Sequence, residues 1–368
     1  MNIEPLKPVR SVGRSSNADE VILGVDTHRD THVAAVLSKA GNVLAAESFP
    51  ATASGYRQLV EWAVRLGVVR RAGVECSGNY GAALSRYLLS QGIEVIEAPG
   101  PGRSARRRRR KSDQGDAEAA ARSVLSGRAR SPAKSGSGPA EIARMYMVAK
   151  DSAVKAQRQA VNQLKAILVT ADPALREELA NLPRRALIQA CLQLSEGGEE
   201  TDPVLRATRF TLHALAERIE QLRAQARVLE RRLSAVIGCH YPRLVDAVGI
   251  GPHSAAVLLT AIGENSDRMR GEASFAALCG ASPVEYSSGS RQHRRLNRGG
   301  NRQANAALHR VVLSRLRWDP RTQTYYERRV LEGKTRREII RCLKRYVARE
   351  VYRLVQEERR SPGWASAG

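Results

Sequence analysis

The sequence predicts an α/β domain with a mixed sheet, then a long helical arm and a mainly helical C-terminal domain. Three observations carry this. Short apolar strands alternate with helices up to about residue 130, a strict 3-4 apolar spacing runs through the middle, and a Gly-x-Gly turn opens an apolar helix in the last third. With 368 residues, two or three domains are expected, and the composition shifts place them at 18–130, 140–240 and 241–350.

The first domain begins with the strand VILGVD at 21–26, followed by strands over 31–38 and 42–49 that turn at Ala40-Gly41. Such close spacing predicts a meander. Residues 55–66 have helical periodicity, with Tyr56, Leu59, Trp62, Ala63 and Leu66 on one face. A strand at 71–75, a helix at 80–89 and a strand at 93–98 complete a sheet that is parallel in its second half. The Ser/Gly/Pro/Ala-rich stretch 127–139 reads as a linker or exposed loop. Beyond it, Leu212, Leu215, Ile219, Leu222, Ala226, Leu229, Leu233 and Val236 form a coiled-coil seam. Its partner is either the helix over 141–169 of the same chain or a second chain, and Pro242 ends it. The turn Val248-Gly-Ile-Gly-Pro before an apolar helix is half of a helix-hairpin-helix that meets phosphate, or an ordinary helical turn.

Composition narrows the function. Sixty Lys/Arg against 37 Asp/Glu leave a net charge of +23, the signature of a polyanion-binding surface. Aromatics at 4% argue against modules that stack single-stranded bases. The polar first twenty residues lack the apolar core of a signal peptide, and the longest apolar run, 255–262, is too short for a bilayer. Five scattered cysteines without metal-ligand spacing suggest a reduced, cytoplasmic protein without structural zinc, and with the basic charge a bacterial nucleoid-associated or DNA-processing protein is the default expectation. The charge is uneven: residues 291–368 hold 21 Lys/Arg against 7 Asp/Glu, a surplus of 14.

Against this background a few acids stand out. Asp26 and Glu75 each end an apolar strand, where a buried charge is costly unless it meets a cation. Asp113 and Asp116 open a helix at i, i+3 spacing, so they share a face. They are either simple N-terminal caps or half of a four-carboxylate cluster suited to Mg²⁺, with two ions giving the clamp of phosphodiester chemistry. His28, Asp30 and His32 fall between strands and read as surface or supporting residues. Arg106, Arg107, Arg108, Arg109, Arg110 and Lys111 form a basic run, a solvated segment or, beside a metal site, a nucleic-acid contact.

These motifs, GVDTHRDTH, VECSGNYG and KSDQGDAEAAA, then GIGPHSA, FAALCGASPVEYSSGS and LNRGGNRQANAALHR, resemble the DEDD-type insertion-sequence transposases, the insertion-sequence one-ten family, over roughly residues 20–350. The resemblance implies a RuvC-like N-terminal domain whose Asp26, Glu75, Asp113 and Asp116 bind metal. It implies a C-terminal transposase domain whose serine, in a Ser-Gly pair, is Ser288. From the residues alone Ser287, Ser288 and Ser290 are equivalent and a polar turn is the ordinary reading. The resemblance further implies cutting and rejoining of donor and target double-stranded DNA, guidance by a noncoding bridge RNA, and dimers that assemble to tetramers. Arg291, Arg294, Arg295, Arg298 and Arg302 would then neutralise phosphates. Two other readings compete. A RuvC-like endonuclease hydrolysing with water needs only the carboxylates, and a basic architectural protein needs none of them.

Overall fold

In a computed structural model, the described residues are 19–99, 112–194, 202–264, 269–285, 294–295, 297 and 299–360. The chain divides into two compact units, one of residues 1–138 with 262–274, the other of 139–261 with 275–368.

The first unit is built on a five-stranded sheet of order β3-β2-β1-β4-β5. Its strands are β1 (Glu20–Thr27), β2 (Thr31–Ser38), β3 (Val43–Pro50), β4 (Val68–Glu75) and β5 (Glu94–Ala98). The first three form the antiparallel meander, whereas β4 lies parallel to β1 and β5 parallel to β4. Helices α1 (Ala53–Leu66) and α2 (Ala82–Ser90) supply the crossovers. They cover one face, where Val21, Leu23, Val25, Val74, Leu59, Leu84 and Leu88 are buried together. The opposite face belongs to α3 (Asp113–Leu125), whose Ala117, Ala121 and Val124 pack on Ile22, Ala35 and Leu37.

Two glycines let α3 lie on the sheet. A Cβ on Gly24 would come 2.1 Å from the Ala117 carbonyl oxygen, and one on Gly73 2.6 Å from that of Ala120. The helix answers with alanines, so its backbone rests almost directly on β1 and β4. The stretch 127–139 is not a free linker. Glu97 N donates to Ser131 O and Ala133 N to Val95 O, while Ala129 and Ala133 are buried, so part of it extends the sheet at β5. These contacts satisfy backbone groups that an edge strand would otherwise leave open.

The second unit contains α4 (Pro139–Val169), α5 (Pro173–Ala180), α6 (Arg184–Leu192), α7 (Pro203–His240), α8 (Pro242–Asp246) and most of α9 (Pro252–Ile262). It continues with α10 (Glu272–Leu278), a two-residue ribbon of β6 (Val284–Glu285) and β7 (Arg294–Arg295), α11 (Arg302–Trp318), α12 (Pro320–Leu331) and α13 (Arg336–Arg360). Helices α4 and α7 pack along each other. Leu164 and Ala160 share a core with Ala216 and Ile219, while Lys150 pairs with Glu230, so the two run antiparallel. Within the seam Leu212, Ile219 and Leu233 are fully buried, and Leu215, Leu222, Ala226, Leu229 and Val236 are half-buried. The Gly-x-Gly turn has a packing role. Gly249 adopts φ 79°, and Arg315 Nε donates to the Val248 carbonyl at 2.7 Å while its guanidinium grips Glu350 of α13. Among the described residues no helix is long and apolar enough to cross a membrane.

Candidate functional site

Strand parity decides where the acids go. On β1, Val21, Leu23 and Val25 face α1 and α2, so Ile22, Gly24 and Asp26 face α3. On β4, Val74 faces the first side, which leaves Gly73 and Glu75 toward α3. Asp26 and Glu75 therefore leave the sheet on one face, at the C-terminal ends of adjacent parallel strands. Helix α3 starts over that edge. Ser112 caps it by accepting from Gly115 N at 3.2 Å, and its first turn carries Asp113 and Asp116.

The result is a cleft of about 500 Å³ lined by Asp26, Glu75 and Asp116, with His28, Asp30, Cys76 and Tyr80 at its rim. Asp113 joins through His28, whose Nε2 lies 3.2 Å from Asp26 Oδ2 and 3.5 Å from Asp113 Oδ2. Thr27 Oγ1 donates to the Glu75 carbonyl at 2.8 Å and ties the two strand ends together. Immediately after Glu75 the chain turns through Cys76, the one non-glycine residue with positive φ (52°) among those described. A left-handed cysteine stores roughly 1–2 kcal/mol of strain, a cost associated with functional turns.

Asp26 is only 5% exposed, and a carboxylate so buried needs positive charge beside it. His28 Nε2 lies 3.2 Å from its Oδ2. A cation would supply that charge, because single donor atoms of Asp26, His28 and Asp113 all lie within 4.8 Å of one another. Three carboxylates and an imidazole on one cleft fit a hard divalent ion, with the imidazole widening the choice beyond Mg²⁺.

Sequence reasoning read His28, Asp30 and His32 alike as surface or supporting residues, and the structure separates them. Asp30 is exposed. His32 is on β2, 0% exposed, and stacked on Tyr56 with ring centroids 5.6 Å apart. Burial, with the nearby His28 charge, holds its imidazole below the ordinary 6.5, although donation to the Thr31 backbone works the other way. His28 reaches the acids. The signal was its position two residues after Asp26, which keeps it on the same face.

Of the other expected site residues, Arg106–Lys111, Arg291 and Arg298 lie outside the described residues, as do Ser287, Ser288 and Ser290. Arg294 and Arg295 form β7, and only their backbone is described. Arg302 is exposed in the first turn of α11, which Asn301 caps by accepting from Ala304 N. All five cysteines are free.

A model of DEDD-type transposases, described as "Transposase", matches residues 23–173, the span that contains all four acids. A second, described as "Transposase IS116/IS110/IS902 family", matches residues 242–327. The chain belongs to the IS110 family of transposases. A relative in Streptomyces coelicolor, the "Insertion element IS110 uncharacterized 43.6 kDa protein", is 34% identical over 125 residues. That stretch is 33% of this chain and 31% of the relative, so the chain spans about a third of the length of the curated relative it matches. In this IS110-family chain the sheet and α3 form the RuvC-like part, and a mostly helical remainder follows.

Proposed function

We propose that the protein is a DNA recombinase of an insertion sequence that cuts and rejoins strands through the cleft acids and Ser288. The observation that carries this is the convergence of Asp26 and Glu75 from parallel strands with Asp113 and Asp116 from one helix start. Acids gathered at one point repel DNA unless a cation intervenes, which argues against a protein that only coats it. Asp26, Glu75, Asp113 and Asp116 would hold Mg²⁺, two ions in the reading favoured here, with His28 keeping Asp26 and Asp113 together. Divalent cations so placed draw charge from the scissile phosphate and its departing oxygen.

Ser288 then supplies the nucleophile. Its Oγ forms a bond to phosphorus as one backbone P–O bond breaks, and the hydroxyl proton ends on the departing oxygen. The number of phosphoester bonds is conserved, so rejoining needs no ATP. Arg106–Lys111, Arg291, Arg294, Arg295, Arg298 and Arg302 would neutralise backbone phosphates of donor and target DNA. Family membership supports guidance by a noncoding bridge RNA and a dimer that assembles to a tetramer, with α7 contributing to assembly.

Strand-exchange assays with single variants test the reading. Ser288→Ala should lose joining and keep DNA binding, while Asp26→Ala should lose all strand chemistry and keep binding. Ser288→Ala that still recombines removes the serine from the mechanism. Cleavage without joining in both wild type and Ser288→Ala assigns the cleft to a hydrolytic RuvC-like endonuclease instead.

A further inference from the structure

Among the described residues, the helical unit buries a lysine that no carboxylate answers. Lys344 of α13 is 7% exposed, and its Nζ donates to Asn305 Oδ1 of α11 at 2.9 Å. The amide is aimed from its other end, because Asn305 Nδ2 donates to the Cys279 carbonyl at 2.8 Å. A neutral amide oxygen takes one of three ammonium protons and leaves the charge in place. Among the described residues no acid pairs with Lys344. Burial, and then the Arg341 guanidinium, push its ammonium below the usual lysine range, and no acid opposes them.

Lys344 lines a cleft of about 700 Å³. Four further cations line it, Arg329, Lys334, Arg341 and Arg345, against Glu285 and Glu338. Glu338 is already engaged, since its Oε2 accepts from Thr335 N at 2.9 Å and Oγ1 at 2.7 Å. Arg345 reaches Ser282 Oγ at 3.4 Å, on the segment that leads into β6. The near wall exists because two glycines touch. A Cβ on Gly300 would stand 2.3 Å from Gly280 N, and Gly280 itself has φ 65°. No aromatic side chain lines the cleft, so it offers a base no stacking surface.

We infer that this cleft binds a phosphodiester of a nucleic-acid backbone, with Lys344 as the buried cation and Asn305 as the residue that aims it. A charge held away from water without an internal partner is suited to an anion that arrives with its own. The ligand is a polymer and not free phosphate, because the cleft draws its five cations from the segment 291–368, whose basic surplus of 14 offers a polyanion more than one phosphate contact. The inference rests on nucleic acid being the substrate, and not on the metal or serine chemistry.

The test measures binding of the full-length protein, in EDTA, to a short duplex DNA and separately to an RNA hairpin of equal charge. Lys344→Met should weaken binding about tenfold and reduce the salt slope by about one. Asn305→Asp gives Lys344 an internal counter-ion. It exchanges the bond to the Cys279 carbonyl for an ion pair, so the variant should still fold cooperatively while binding weakens and the salt dependence flattens, which keeps the test valid if Lys344→Met fails to fold. Loss confined to the DNA arm assigns the cleft to duplex DNA, and loss confined to the RNA arm assigns it to RNA. Native-like variants that bind both ligands as the wild type does overturn the inference. A wild type that binds neither ligand overturns the recombinase reading itself.

Discussion

The sheet unit buries an acid, Asp26, and the helical unit a lysine, Lys344. In the first, Asp26 is held at a strand end, 5% exposed, beside His28 and below the acids of α3. In the second, Lys344 is 7% exposed on a helix face, held by an amide and ringed by cations. Neither arrangement favours folding, because a buried charge loses hydration that a single neighbour does not restore. Both become favourable when a ligand of the other charge arrives, a divalent cation in one and a phosphate in the other. The net charge of +23 conceals this. It describes what the surface attracts, whereas Asp26 and Lys344 mark where a ligand completes the structure.

The largest expected effect concerns the basic side of that contrast. If residues 291–368 grip a polyanion, neutralising about 6–10 phosphates should cost roughly 10³–10⁵ in affinity between about 50 and 200 mM salt. Fluorescence anisotropy on a labelled duplex reads this directly, and an affinity indifferent to salt would remove the basic unit from nucleic-acid binding. The next effect concerns the acidic side. Gly24→Ala places a methyl 2.1 Å from the Ala117 carbonyl, and lifting α3 should destabilise the sheet unit by about 3 kcal/mol. Divalent-cation affinity, followed by calorimetry, should fall with it, since α3 carries Asp113 and Asp116. Gly78, with nothing within 4 Å of its Cβ position, is the control, and its alanine variant should stay within about 0.5 kcal/mol of wild type. A Gly24→Ala protein as stable as that control would mean that α3 does not rest on β1.

The smallest effect is a pH dependence. His32 is neutral in its buried stack, with a folded value held below the ordinary 6.5. The unfolded chain therefore takes up the proton first, so the contribution is complete above 6.5 and declines as pH falls toward the folded value. Melting temperatures at about pH 7.5 and about pH 5.5 should differ more in wild type than in His32→Phe. Equal differences would mean that His32 is charged, and solvated, in the fold.

Much of the sheet unit is readable in the chain because period-2 patterning and turn spacing are local. The meander, the parallel second half and the helix over 55–66, which the structure begins at Ala53, all follow from it. So does more of the site than the motifs alone suggest. Gly24-Val25-Asp26 and Gly73-Val74-Glu75 each set a glycine two residues before an acid, and parity then fixes that a helix lying on the glycines meets both acids. Two readings changed, and one feature stayed hidden, where partners are distant in sequence. The stretch 127–139 looks like a linker by composition, yet its backbone bonds to β5. His32 looks exposed in a polar motif, yet β2 turns it into the core. Lys344 is one basic residue among 21 in its segment, and nothing in its neighbours on α13 distinguishes it.

By itself the sequence determined the strand and helix periods, the acids at strand ends, the uneven charge and the family, since each is written in local spacing. Only the tertiary structure decided that His28 bridges Asp26 and Asp113, that α4 covers part of the α7 seam, and that Lys344 is buried beside an amide. The reason is physical. Periodicity sets which face a side chain leaves from, but the environment that gives a charge its chemistry is assembled from elements that meet only when the chain has folded.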